Sequence, residues 1–209
     1  SGLEEMVSHL VEKEHSQMNK YIHRQIGHYR LIRPLGQGAF AEVFLGQHIH
    51  LNTLAAVKLL QTRLSNYDVE RFRHEAQIIA RLLHPNIIRV LDFGVENDIP
   101  FLIMDYAPNG TIRQRFPQGS ILPLSDIVNY VNHIASALQY AHNERLIHRD
   151  VKPENLLLGR QQEILLSDFG IALPFNPFSK EITEIAGTAS YMAPEQFKGY
   201  PHPASDQYA

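Results

Sequence analysis

The chain has 209 residues, of which 44% are hydrophobic and 20% charged, and its formal net charge at pH 7 is −3. These values are typical of a globular chain with one or two domains, and they exclude the strongly basic surface expected of a nucleic-acid-binding protein. The chain contains no cysteine, which excludes disulfides and thiolate metal sites. No apolar run approaches the length of a bilayer span, and no signal-peptide pattern opens the chain. We therefore expect a cytoplasmic segment without membrane contact or nucleic-acid partner.

The first part of the chain differs from the rest in composition and in the spacing of its apolar residues. Residues 1–28 are mostly polar, and their apolar positions follow a helical spacing as far as Val11, so we expect a flanking helix or linker. From Tyr29 onward the sequence contains short runs of branched and aromatic residues separated by turn residues. These runs predict three antiparallel strands, over 29–35, 41–48 and 54–60.

Helices and further strands follow. Ser65 offers an N-cap for a helix whose apolar stripe, including Val69, Phe72, Ala76 and Ile79, continues to Leu83. The remaining predicted elements are strands over 88–93 and 101–106, a turn at 108–110 that joins two lobes, a helix over 125–143 and short strands over 156–158 and 164–166. Residues beyond Asp168 show few periodic positions. The predicted face of the second helix consists of Ile127, Val128, Val131, Ile134, Ala135, Leu138 and Ala141.

A glycine-rich segment separates the first two predicted strands. Residues 36–43 fit the pattern Gly-x-Gly-x-Phe-x-x-Val, in which small residues let backbone N–H groups approach phosphate oxygens while Phe40 caps the tip. Taken alone, a hairpin turn explains these glycines equally well. A Rossmann oxidoreductase is disfavoured because the loop leads into a strand, and no Gly-Lys-Ser/Thr run supports a P-loop NTPase.

Lys58 is the first candidate for a chemical role. Strand alternation places it on the same face as Ala56, and a lysine among apolar strand residues is costly unless it is paired. Glu75, on the shoulder of the first helix stripe, is the candidate partner. Such a pair would aim the ammonium group at phosphate oxygens; the alternative is two unrelated surface charges.

Three later runs carry a specific resemblance. Residues 148–155, His-Arg-Asp-Val-Lys-Pro-Glu-Asn, resemble the catalytic loop of the protein kinase family, and 168–170 and 193–195 resemble its Asp-Phe-Gly and Ala-Pro-Glu runs. Residues 84–87 and 187–195 resemble the bacterial kinases of the eukaryotic-like Ser/Thr type. The resemblance covers 29–209. It implies an α+β, two-lobe fold, with an antiparallel sheet and one helix in the N-lobe (29–106) and a mainly helical, partial C-lobe (107–209).

The resemblance also implies a reaction, transfer of the γ-phosphoryl group of Mg²⁺-bound ATP to Ser/Thr hydroxyls of protein substrates in a signalling role. Asp150 would accept or orient the hydroxyl proton and Lys152 would contact the transferred phosphate. Asn155 and Asp168 would hold Mg²⁺. The nucleotide would contact Leu35, Gly36, Gln37, Gly38, Ala39, Phe40, Val43, Ala56, Lys58, Met104, Asp105, Ala107 and Leu157. A regulatory stack would consist of Ile79, Val90, His148 and Phe169.

Control of activity is implied in the same way. Arg149 precedes the catalytic aspartate, and kinases with this arginine are often switched by phosphorylation of the loop, here 168–195. A phosphate there would pair with Arg149 and order the loop. Thr183 is the predicted phosphosite, whereas Thr188 would pack against the catalytic loop. A homodimer that phosphorylates in trans is compatible with this scheme.

The sequence also departs from the family pattern. Residues 205–209 resemble only the beginning of the central C-lobe helix. We therefore expect a truncated domain of a longer parent, which a segment outside this chain could tether to a membrane. Asp206 would anchor the catalytic loop, Glu195 would lack its usual arginine, and helix 125–143 would keep an apolar patch exposed. Thr111 stands where many members place an acidic residue for the ribose, which predicts weaker nucleotide binding. The alternative function is a nucleotide-binding but inactive fragment or pseudokinase-like scaffold.

Overall fold

The computed structural model describes residues 20–38, 41–61, 66–169 and 190–209. The chain divides into two compact units. Unit 1 consists of Ser1–Ser65 and Asp92–Tyr106, and unit 2 consists of Asn66–Leu91 and Ala107–Ala209. The first helix therefore clusters with unit 2, although it follows four strands of unit 1 in sequence.

Unit 1 is built on a six-stranded sheet with the order β1-β2-β3-β4-β6-β5. The first two residues of β5, Val90 and Leu91, are assigned to unit 2, and the rest of the strand belongs to unit 1. Sequential hairpins between β1 and β4 give antiparallel pairing, and β4 also pairs antiparallel with β6. The predicted antiparallel sheet is confirmed. The strands are β1 (Gln25–Ile26), β2 (Tyr29–Gly38), β3 (Ala41–His48), β4 (Leu54–Leu60), β5 (Val90–Glu96) and β6 (Ile99–Asp105).

Three strand predictions need correction, one of which is the strand predicted over 101–106, since β6 spans Ile99–Asp105. β2 does not end at residue 35, because Gly36, Gln37 and Gly38 continue to pair with β3, with register shifts on either side of Pro34. The fifth strand begins at Val90 and ends at Glu96 rather than spanning 88–93. Part of the predicted flank is also strand, since Gln25 and Ile26 pair with the start of β2; residues 1–19 lie outside the described part of the chain.

One face of the sheet carries a compact apolar core. Side chains from alternate positions of the strands form it, and Leu31, Phe44 and Val57 are fully buried. Tyr21 packs against this cluster and meets the Phe44 ring edge-on, with the ring centroids 6.0 Å apart. Residues that precede β2 thus help to cover the sheet. The complete cluster is Ile26, Tyr29, Leu31, Phe44, Ala55, Val57, Leu59, Phe101 and Ile103.

Unit 2 combines helices with a small sheet, in which β7 and β8 pair antiparallel. Asn86 fastens the segment after the first helix to β8, because its side-chain amide donates to the carbonyl of Ile164 at 2.9 Å and its backbone carbonyl accepts from Leu166. The described elements are α1 (Asn66–Ala80), α2 (Ile112–Arg115), α3 (Leu124–Asn143), a 3₁₀ turn (Pro153–Asn155), β7 (Leu156–Leu158), β8 (Ile164–Leu166), α4 (Pro194–Phe197) and α5 (Pro203–Tyr208).

The first helix ends earlier than its apolar pattern predicts. α1 stops at Ala80, where the backbone tightens and Leu82 donates to the carbonyl of Ile79. Leu83 is therefore 66% exposed, whereas Leu82 takes the buried position. Placing Leu83 in the buried stripe was wrong, and the N-cap predicted at Ser65 lies outside the described residues.

The second predicted helix is confirmed as α3, but only part of its predicted face is buried. Leu138 and Ala141 are buried, whereas Ile127, Val128 and Val131 are 42%, 50% and 55% exposed. The N-terminal half of α3 thus presents an apolar surface, as expected for this helix. None of the helices in the described ranges is both long enough and apolar enough to cross a membrane.

Candidate active site

Unit 1 collects several predicted nucleotide-contacting residues on one face of its sheet. Val43 lies opposite Lys58, and Ala56 lies opposite Met104. Directly opposed residues of an antiparallel pair point to the same face, and positions two apart on one strand do so as well. The four side chains therefore share the face that is turned away from the core around Phe44.

The glycine segment leaves open space at the end of this face. Gly36 pairs with Val43, and a Cβ atom added at Gly36 would meet no described atom within 4 Å. Packing within the described part of unit 1 therefore does not require glycine at this position, and the open approach suits a phosphate group near the backbone. Leu35 is half-buried beside it, whereas Gly38 is exposed; Ala39 and Phe40 lie outside the described residues.

In unit 2 the side chain of Asp150 is fixed by two neighbours from its own loop. The Asn155 amide donates to the backbone carbonyl of Asp150 at 2.7 Å and to its Oδ2 atom at 2.9 Å. The Lys152 ammonium also lies 2.9 Å from Oδ2. Asp150 Oδ1, by contrast, is buried and has no hydrogen-bond partner among the residues that the structure describes. Three of the six residues predicted to be catalytic, Asp150, Lys152 and Asn155, thus lie together.

The His148 ring lies at the centre of this loop and is completely buried. Its Nε2–H donates to the carbonyl of Ser167 at 2.7 Å, and its Nδ1 accepts the backbone N–H of Asp150 at 3.2 Å. Acceptance at Nδ1 requires the neutral ring with its proton on Nε2, and burial lowers the His148 pKa below its usual value of 6.5. The ring also contacts Phe169, with centroids 4.7 Å apart, as the predicted stack requires for this pair.

Asp206 of α5 anchors the backbone of the same loop, as the sequence predicts. Its carboxylate accepts the N–H of His148 at 2.8 Å and the N–H of Arg149 at 2.7 Å. His142, near the end of α3, donates to it from Nε2 at 2.8 Å. Sequence reasoning missed His142, because nothing in the helix pattern distinguishes it from an exposed histidine.

Two residues of the site hold backbone conformations that side chains rarely adopt. Arg149 has a φ of 70° and Asp168 a φ of 61°. Strained conformations of this kind persist only where surrounding bonds hold them, and they cluster at functional sites. Asp206 supplies such a bond to Arg149.

The Asn155 and Asp168 side chains suit a divalent metal. Ser167, which precedes Asp168, donates both its N–H and its hydroxyl to the backbone carbonyl of Asn155, each at 2.9 Å. These bonds fasten the two metal-ligand candidates to each other. Since the Asn155 amide nitrogen is engaged with Asp150, its Oδ1 is the atom suited to a metal. One carboxylate and one amide oxygen fit Mg²⁺, which takes its other ligands from water and phosphate.

Glu75, the predicted partner of Lys58, has a different contact within unit 2. Its Oε1 accepts from the Arg71 guanidinium at 3.2 Å, one helical turn earlier. Its Oε2 is buried without a hydrogen-bond partner among the described residues. The Lys58–Glu75 pair therefore stays a prediction.

A second charged cluster beside the catalytic loop was missed from the sequence. Arg113 of α2 donates from Nε to Glu154 Oε1 and from Nη2 to the Tyr191 hydroxyl, each at 2.8 Å. Nothing local signals this, since the three residues are far apart in sequence. Thr111, expected near the ribose, caps α2: its Oγ1 accepts the N–H of Gln114 at 3.1 Å.

Glu195 finds a partner other than the family's arginine. The Ser205 hydroxyl donates to its Oε1, and the His202 ring lies 3.5 Å from the same atom. The hydrogen bond from Ser205 is the main cause of a lowered Glu195 pKa. Gly170 and the predicted regulatory residues Thr183 and Thr188 lie outside the described residues.

Comparison with known proteins defines the class. A family model for the protein kinase domain matches residues 29–209. The kinase domain of Mycobacterium tuberculosis PknI, a solved structure, superposes with a TM-score of 0.70 at 35% identity, over 90% of this chain and 72% of that chain. The chain belongs to the protein kinase domain family, and the predicted two-lobe kinase fold is confirmed.

Relatives come from bacteria and animals. The chain is 34% identical to the serine/threonine-protein kinase PrkC of Bacillus subtilis over 83% of its length. It is 36% identical to Aurora kinase B of Danio rerio over 81% of its length. The matched part is 27% of PrkC and 53% of Aurora kinase B, so the chain spans only part of these relatives. Use of ATP and a divalent metal is general in this family.

Proposed function

We propose that this chain is the catalytic domain of an ATP-dependent protein serine/threonine kinase. The observation that carries the proposal is the Asp150 carboxylate, held by Asn155 and Lys152 through Oδ2 while buried Oδ1 lacks a described partner. A Ser or Thr hydroxyl of a protein substrate that enters this position can give its proton to Oδ1. The names of the relatives, serine/threonine kinases among them, agree with this substrate class.

The proposed reaction is a single displacement. The hydroxyl oxygen forms a bond to the γ-phosphorus as the bond between that phosphorus and the bridging oxygen breaks, and ADP leaves with the bonding electron pair. Asp150 takes the hydroxyl proton, and Lys152 offers positive charge to the transferred phosphoryl oxygens. Asn155 and Asp168 would hold the metal ion, which would neutralise phosphate charge when bound.

Unit 1 supports a nucleotide-binding role in this scheme. We propose that Val43, Ala56 and Met104 form the apolar surface for the adenine ring, and that the backbone of the glycine segment approaches the phosphates. Backbone groups of Asp105 and Ala107 would bond the adenine edge, and Leu157 would close the ring's other side. Lys58, paired with Glu75, would bind phosphate oxygens.

Regulation and setting are part of the proposal. Phosphorylation of Thr183 would place a dianion where it can pair with Arg149. A second copy of the chain would catalyse this phosphorylation in trans, with ATP as the phosphoryl donor. We place this reaction in the cytoplasm. The competing function is a nucleotide-binding scaffold without transfer activity.

The deciding experiment is peptide mass spectrometry of the purified chain after incubation with Mg²⁺-ATP and a generic Ser/Thr protein substrate. Asp150→Asn is the matched control, because it keeps the shape of the side chain and removes the proton acceptor. New phosphate with the unaltered chain, and none with Asp150→Asn, supports the proposal. Nucleotide binding without phosphate on either the chain or the substrate would favour the scaffold.

A further inference from the structure

The cluster of Arg113, Glu154 and Tyr191 is not used by the chemistry described above, yet it lies beside it. Glu154 occupies the middle of the 3₁₀ turn, next to Asn155 and two residues after Lys152. Both of those residues bind Asp150 Oδ2. Tyr191 lines a shallow concavity that also includes Asp150. The cluster therefore belongs to the rim that a protein substrate reaches when its hydroxyl meets Asp150.

The geometry gives Glu154 a partner before any substrate arrives. Arg113 binds its Oε1 at 2.8 Å while the two side chains are 35% and 45% exposed, so the pair lies at the surface rather than in the core. Both groups stay charged at neutral pH: the hydrogen bond with Glu154 raises the Arg113 pKa. For Glu154, burial raises the pKa, but the hydrogen bond from Arg113 and further favourable contacts outweigh it and leave the pKa lowered.

The second bond of Arg113 fixes its position. Because Nη2 donates to the Tyr191 hydroxyl at 2.8 Å, the guanidinium bridges the 3₁₀ turn at the end of the catalytic loop and the segment before α4. A planar guanidinium serves two acceptors at once, which a lysine ammonium on a flexible stem does less well. The ion pair is therefore preorganised, and a cationic substrate side chain would have to displace it.

We propose that Arg113 is a specificity-determining residue that keeps Glu154 from binding arginine or lysine side chains of the substrate, so that the enzyme favours acceptor sites with neutral or acidic neighbours. The inference rests on the proposed kinase function. An unpaired carboxylate at this rim would attract cationic residues, whereas Arg113 offsets the charge of Glu154 just as Lys152 offsets that of Asp150. Charges at a rim act chiefly through such discrimination between partners.

The test uses serine peptides in which a single Arg or Gln is placed in turn at each position flanking the acceptor. The measured quantity is the ratio of kcat/KM for the Arg peptide to that for the Gln peptide. Arg113→Gln should raise this ratio by about twofold to fivefold at one or more positions, the range expected of an exposed ion pair. The double variant Arg113→Gln with Glu154→Gln should return it to the original value, and Arg113→Lys should raise it by less than Arg113→Gln does.

Arg115→Gln is the matched control, since it removes the same charge from the same helix, where Arg115 is exposed and lies over the Phe116 ring. A general effect of net charge would raise the ratio equally in Arg115→Gln and would overturn the proposal, as would an unchanged ratio in Arg113→Gln. Fluorescence anisotropy of the same peptides, labelled and without ATP, measures binding selectivity independently of transfer. If no peptide is phosphorylated, the kinase proposal fails, while the anisotropy ratio still decides the role of Arg113.

Discussion

The side-chain amide of Asn155 donates two hydrogen bonds to Asp150, one to its backbone carbonyl and one to its carboxylate. A residue proposed as a metal ligand thus also orients the proposed proton acceptor. The two tasks use different atoms of one amide, nitrogen for Asp150 and oxygen for the metal. Substitution of Asn155 should therefore impair both.

Asn155→Ala should lower kcat for peptide phosphorylation by about a hundredfold, because positioned proton transfer alone contributes on that order. Steady-state kinetics at saturating Mg²⁺ and ATP measure the effect. Asn143→Ala, at the exposed end of α3, is the control and should retain kcat. If Asn155→Ala lost activity only at subsaturating Mg²⁺ and kept its kcat at saturating Mg²⁺, Asn155 would act on the metal only.

Asp206→Asn should destabilise unit 2. The substitution keeps the shape of a buried side chain but replaces an acceptor that binds two backbone N–H groups and His142. We expect a loss of about 3 kcal/mol in the free energy of unfolding, measured by urea denaturation, since charge-assisted bonds to a buried carboxylate are involved. Asp126→Asn, on the exposed first turn of α3, should change it by less than about 0.5 kcal/mol. Equal losses in both variants would contradict the anchoring role.

Stability should fall as the pH drops below the ordinary histidine pKa of 6.5. The buried His148 ring is held neutral, so its folded pKa is lowered, and below 6.5 the unfolded chain binds a proton that the folded chain excludes. Each pH unit in this window should cost about 1.4 kcal/mol for this group until the folded pKa is reached. His84, whose pKa burial also lowers, is removed with His84→Gln so that the remaining slope reports mainly on His148. A flat unfolding free energy between pH 7 and 5.5 in that variant would refute the assignment.

In contrast to His148, whose neutral form is favoured in the folded chain, Glu195 should stabilise the fold in its charged form. Its pKa is lowered by the Ser205 hydroxyl, so the stabilisation is complete above the ordinary value of 4.5 and is lost as the pH falls through the lowered folded value. The difference in unfolding free energy between the unaltered chain and Glu195→Gln should therefore shrink below pH 4.5. Glu144→Gln, an exposed residue after α3, is the comparison and should show a smaller difference throughout.

Much of the sheet follows from the sequence because period-two patterns and turn residues are local signals. β3 and β4 begin and end where these patterns predict, and so do β7 and β8. The end of α1 does not, because Leu82 and Leu83 both continue an apolar pattern and only the tightened backbone decides which one is buried.

The site residues divide in the same way into those that local sequence signals predict and those that they do not. The motif residues Asp150, Lys152 and Asn155 are predictable since their spacing is fixed within one loop. His142 and Arg113 are not, because each meets its partner only after distant segments fold together. For Glu195 the resemblance supplies an expectation, the missing arginine, and the structure supplies a different partner in Ser205.

Because side chains alternate along β4, substitutions at neighbouring positions of this strand affect opposite faces of the sheet. Ala55, Val57 and Leu59 belong to the apolar core, whereas Ala56 and Lys58 face the other way. Substitutions at Ala56 and Lys58 can therefore alter the second face of the sheet without repacking that core. A one-residue insertion in β4 would exchange the two sets and place the lysine in the core, so we expect a change in length to disrupt this strand more than a substitution at Ala56.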